Sequence, residues 1–150
     1  MSRQIKNIIA ITFFLICIGL INFAGQNIDI EIRGINAFTF ILIVAVLLQI
    51  IFFIPSFLLK TEKFYDLVGS LTYVTTVSLA YFAVENKTMI DSIIYFYVMA
   101  WASRLGIYLF RRVRNDGKDV RFEKPKRHFF WFLQYWMGQA LWVSLTACAA

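Results

Sequence analysis

Residues 95–128 read YFYVMAWASRLGIYLFRRVRNDGKDVRFEKPKRH, beginning as an apolar helix and ending as the most basic segment of the chain. Between Arg111 and Arg127, eight Lys and Arg stand against three Asp and Glu, a net +5 within a whole-chain charge of +6. Cations clustered beside an apolar span set the orientation of that span in a bilayer. This stretch therefore decides both that the chain is read as a membrane protein and which way round it sits.

The composition agrees with a membrane protein. The chain is 60% hydrophobic and only 16% charged. A soluble domain of 150 residues has too few charges to cover so much apolar surface. The expected fold class is all-α, a multi-pass transmembrane helical bundle. Because the positive charge collects in one loop rather than over a face, nucleic acid is not an expected partner and membrane lipids are. Cys17 and Cys148 lie in apolar segments near opposite ends and imply no disulfide framework. With His128 as the lone histidine, no metal-ligand spacing is present either.

Five spans are expected. Residues 8–24 are uncharged, too long for the apolar part of a signal peptide, and carry Asn22 and Phe23 where cleavage needs a small residue, so the segment is read as a retained helix. A polar connection, 25–36, has glycines at both ends. Residues 37–59 form the clearest span, with Pro55 near its end and Gln49 inside it, the latter expected to hydrogen-bond another helix. The third span, 67–84, carries Gly69, Thr72, Thr76, Ala80 and Ala83 at helical spacing, a small and hydroxyl-bearing face suited to close helix packing. Asn86-Lys87-Thr88 has the pattern of a glycosylation site, but it lies too near the bilayer to be expected to carry a glycan. Residues 92–110 and 129–147 complete the set. With the N-terminus cytoplasmic, twelve Lys and Arg fall inside and only Arg33 and Lys87 outside. Residues 1–150 read as a single membrane domain, in the endoplasmic reticulum of a eukaryote or the inner membrane of a bacterium.

Chemistry is expected on the fourth helix and the loop after it. Tyr97, Trp101, Arg104, Tyr108 and Arg111 follow at spacings of four, three, four and three, one polar-aromatic stripe. A guanidinium at the centre of a membrane helix costs about 2.5–3.5 kcal/mol on insertion scales. Arg104 can snorkel toward the headgroups, but the tyrosines beside it favour a stripe turned to the bundle interior, a water-filled cavity or a ligand. In the loop, Gly117 permits a tight turn, and Lys118 and Arg121 offer donors to phosphate oxygens. Asp119 is placed to orient Arg121 or to accept from a ribose hydroxyl. The bland reading of the same loop is attraction to anionic lipid.

Trp101-Ala102-Ser103-Arg104-Leu105-Gly106, Leu109-Phe110-Arg111-Arg112 and Gly117-Lys118-Asp119-Val120-Arg121-Phe122, in that order, resemble a family of membrane proteins related to steroid 5α-reductases. The segments Lys60–Asp66 with Gly69–Thr72, and Gln139–Val143, are similar to the same family, so the resemblance covers about residues 58–145. It implies a multi-helix reductase fold in which hydride passes from NADPH to a carbon–carbon double bond conjugated to a carbonyl in a lipid. It also implies Arg104, Arg111, Lys118, Asp119 and Arg121 as cofactor-binding residues, and Tyr97, Trp101 and Tyr108 as lining a hydrophobic lipid substrate. Which residue is catalytic stays open. The chain departs from the reductases in having Trp101 where they have tyrosine, and no acid inside spans two or three. It resembles their N-terminal portion and lacks their Asn/His/Tyr-rich cofactor region, so the expectation is a truncated protein that is inactive alone. The competing classes are a non-enzymatic membrane protein whose basic loop binds anionic lipid or a partner, and a membrane lipid or prenyl methyltransferase.

Overall fold

A computed structural model describes residues 2–116 and 119–147. The helices are α1 (Arg3–Ala24), α2 (Ala37–Leu58), α3 (Tyr65–Ala83), α4 (Met89–Asp116) and α5 (Phe129–Ala147). Three of them, α1, α2 and α4, are long and apolar enough to cross a membrane. The chain is an integral multi-pass membrane protein.

Three of the helices begin where a side chain takes an orphan N–H, whereas α3 starts after Phe64 with no side-chain cap. Ser2 Oγ accepts from Ile5 N in α1, and Asn36 Oδ1 accepts from Thr39 N in α2. Thr88 and Asp91 satisfy each other reciprocally at the start of α4, where Asp91 Oδ2 accepts from the Thr88 N–H and hydroxyl at 2.7 Å each. Pro55 falls in the last turn of α2, where the helix tolerates it.

Two features depart from the sequence reading. The connection 25–36 contains a small hairpin, β1 (Glu31–Ile32) paired antiparallel with β2 (Ile35–Asn36) through an Arg33-Gly34 turn in which both φ angles are positive. Further along, α4 does not stop at residue 110. It continues through the first basic residues to Asp116, because Arg and Asn115 need no lipid and cations suit a helix C-terminus. Two 3-10 turns, Val120–Phe122 and Pro125–Arg127, then lead directly into α5.

At the centre stand α3 and α5. α3 packs on α2, α4 and α5, and α1 lies along α5. The guanidinium of Arg3 sits 4.6 Å from the Trp131 ring, so α1 and α5 start at the same end, here called the basic end. Central position explains why α3 is the less greasy helix. Its hydroxyls meet protein rather than lipid, with Thr72 at 0% and Thr76 at 2% exposure. Gln49 makes the expected interhelical bond, its Nε2 donating to Thr72 Oγ1 at 2.9 Å. The bottom of the bundle is closed by an aromatic core of Phe53, Phe122, Phe132 and Trp136.

Candidate functional site

The residues of the basic segment are positioned by one plug. Phe122 is 1% exposed, seated against Tyr65 at 4.7 Å, Tyr135 at 5.0 Å and Phe132 at 5.9 Å between ring centroids. Burying a phenylalanine completely contributes about 1.5–3 kcal/mol. That is enough to hold the 3-10 turn carrying Arg121 against the helix ends.

Around the plug lies a network of charges. Asp119 Oδ1 accepts from the backbone N–H of Arg121 at 2.9 Å, and its two oxygens take Nε and Nη2 in a fork. Asp66, in the first turn of α3, lies 3.5 Å from Arg121 Nη2 and 3.7 Å from Arg112 Nη2. Glu62, only 4% exposed, accepts from the Asp119 N–H at 3.1 Å with one oxygen and from Lys126 Nζ at 2.7 Å with the other. Arg121 therefore holds its proton more tightly than an ordinary arginine, the Asp119 hydrogen bond being the main cause. The same bond holds the Asp119 carboxyl below the usual aspartate range.

Of the two roles open to Asp119, the geometry shows the one that orients Arg121. The side chain of Arg121 is 54% exposed and that of Arg112 is 41% exposed, so both guanidinium groups are positioned by carboxylates yet reachable from outside. Lys118 lies outside the described residues, as do Gly117 and Cys148.

The stripe on α4 is turned the other way from the expectation. Tyr97, Trp101, Arg104, Tyr108 and Arg111 are all exposed, and none lines the cavity beside Tyr65 and Tyr135 or the one at the far end of the bundle. The interior-facing reading of Arg104 is corrected accordingly. Its cause is the opposite face of α4, where Ala102 and Gly106 are buried against α3. Ser70 Oγ donates to the Ala102 carbonyl there, and Gly106 stands against Ser70 with no room for a Cβ. Two small residues four apart allow the backbones to approach, and that contact outweighs the polar stripe in setting the helix's rotation.

Sequence reasoning passed over Glu62, Asp66, Arg112, Lys126 and the Phe122 plug as positioning residues. The available signal was electrostatic but ambiguous: the two carboxylates need cations, and Lys60 and Lys63 lie nearer in sequence than the basic segment that supplies them.

Two cavities accompany this network. One, of about 420 Å³, opens between α1, α3 and α5 beside Tyr65, Tyr135 and Gln139. Another, of about 160 Å³, lies at the far end of the bundle.

Residues 52–150 match the family described as protein of unknown function (DUF1295). The chain belongs to this family. Its members resemble steroid 5α-reductase-like proteins, in agreement with the likeness carried by the helix-four and basic-segment motifs. No curated protein and no solved structure matches the chain. The fold joins the Lys60–Asp66 segment to Asp119–Phe122 through Glu62, Asp66, Asp119 and Arg121.

Proposed function

We propose that this protein is a membrane-bound, NADPH-dependent reductase acting on a CH–CH bond of a hydrophobic lipid substrate. The observation that supports it most is the Asp119–Arg121 fork, a pre-oriented and half-exposed guanidinium next to a second one, Arg112. A planar donor fixed in advance is suited to phosphate oxygens, because less side-chain freedom is lost on binding. Asp119 occupies Nε and Nη2, leaving the Nη1 edge for an incoming anion. Cations at the basic end thus fit the phosphates of the cofactor.

When bound, NADPH supplies hydride to an alkene conjugated to a carbonyl. The chain's own residues then divide the work. Arg111, Lys118 and Arg121 meet the phosphates, and Asp119 orients Arg121. Arg104 stands seven residues above Arg111 on the same face, about 10 Å along the helix, and serves as a further cofactor contact. Tyr97, Trp101 and Tyr108 continue that face as an open wall for the substrate. In this reading all five helices cross the membrane with the N-terminus cytoplasmic, and the basic end meets the soluble cofactor.

The test is thermal unfolding of the purified chain with and without NADPH. The melting temperature rises in the wild type and not in Arg121→Ala, with Asp119→Ala intermediate. An equal rise in all three removes the cofactor assignment. A second reading has its own observation: Arg111, Arg114, Lys124 and Arg127 are exposed, and such a surface attracts anionic lipid without any catalysis. Vesicle-bound phosphatidylglycerol that stabilises the protein where NADPH does not would favour it.

A further inference from the structure

The cavity at the far end of the bundle is enclosed by the first turns of α2, the last turns of α3 and α5, and the first turns of α4. Its floor includes Ala45, Thr76 and Val143, and its rim includes Lys87, Asp91 and Tyr95. From Thr76 to Val84, both of which line it, α3 rises by eight residues, about 12 Å at 1.5 Å each. The space is therefore two helical turns deep and narrow for its depth.

Its volume sets the class of occupant. An apolar cavity of about 150 Å³ holds a benzene ring, and this one is about 160 Å³. The fused rings of a sterol do not fit, whereas a segment of one alkyl chain does. The polar groups set its direction. Thr76 donates its hydroxyl to the carbonyls of Thr72 and Tyr73 within its own helix, so it gives the floor no free donor. At the rim, Lys87 Nζ donates to the Val84 carbonyl and stands 5.3 Å from the Tyr81 ring centroid, while Asp91 is held by Thr88. One cation and one anion, each engaged by its own chain, leave the rim without net charge. A charged head gains little there, and a neutral hydrogen-bonding head is compatible with it.

We propose that this chamber binds a single-chain neutral amphiphile of medium length, such as a medium-chain alcohol, which enters from the membrane boundary at Lys87 and Asp91. The site is separate from the cofactor end. Asp91 and Arg111 are twenty residues apart on α4, about 30 Å, so its occupant does not take part in hydride transfer. The proposal stands whether or not the reductase reading does.

The test uses the full chain in phosphatidylcholine nanodiscs with 1-octanol bearing a diazirine near its methyl end, a chain short enough to put its hydroxyl at the rim when its methyl end is at the floor. After photolysis, label concentrates on residues 41–45 and 76–80, about tenfold above that on lipid-facing Phe82 and Phe96. Unlabelled 1-octanol removes it; cholesterol and octanoate do not. Filling the chamber by Ala45→Leu at the floor, or Ala80→Phe nearer the rim, abolishes the label without lowering the melting temperature. If Ala45→Leu fails to fold, the Ala80 variant alone decides. Uniform labelling of chamber and lipid-facing residues overturns the proposal. So does a filled variant that gains stability while its labelling is unchanged, since the space is then a packing void only. Competition by cholesterol equal to that by the alcohol overturns the single-chain assignment.

Discussion

Asp119 and Arg121 are two positions apart, and their pairing was legible in the sequence for that reason: a turn brings such neighbours together without help from the fold. Its pH consequence follows from the depressed carboxyl of Asp119. A carboxylate whose folded value lies below its unfolded value, about 3.9, stabilises the protein at higher pH and loses that contribution as pH falls through the folded value. Asp119→Asn is therefore expected to lower the melting temperature at pH 7, with the gap to wild type closing as the pH drops below about 4. Melting curves across that range check it; a gap that stays constant contradicts the charge-based role. Glu62 was illegible because its partners lie 57 and 64 positions away. Glu62→Ala is expected to cost about 1–3 kcal/mol in denaturant unfolding. The figure sits at the low end for a broken buried pair, since Lys126 keeps a 20% exposed side chain and some water.

Among the elements, α5 spans the residues expected of it, and α2 stops one short of its expected end, because an uninterrupted apolar run between polar flanks leaves little freedom. The rotation of α4 was a different problem. Two faces competed, a polar-aromatic stripe and a pair of small residues, and a membrane helix is turned by the face that packs. The hairpin at 31–36 was missed because its strands are two residues each and its turn begins with arginine instead of the asparagine or aspartate that signals positive φ. The packing account makes a graded prediction. At Gly106 an added Cβ meets the Oγ and Cβ of Ser70, whose hydroxyl is tied to Ala102, so Gly106→Ala is expected to destabilise by about 1–3 kcal/mol. At Gly69 it meets mainly the amide end of Gln139, which can swing aside, so Gly69→Ala is expected to cost less. Equal costs in unfolding experiments would contradict the close approach of α3 and α4.

For the molecule as a whole, the arrangement sets two features apart by distance. The basic end carries oriented cations, and the far end carries a narrow apolar chamber. The hydropathy pattern revealed the multi-pass architecture, and the charge asymmetry suggested its orientation. Neither could reveal which helices stand at the centre, since that depends on contacts between segments far apart in sequence. The proposed crossing of all five helices predicts that single cysteines at Lys124 and Lys87 react with an impermeant maleimide from opposite sides of sealed vesicles. Labelling of both from one side would remove the five-span topology. The function rests on whether the oriented arginine at the basic end holds a phosphorylated cofactor, and titrating NADPH fluorescence with the purified chain measures this directly. Saturable binding, weakened about tenfold or more by Arg121→Ala and reduced by salt, is the predicted result. Equal titrations for wild type and Arg121→Ala would contradict it.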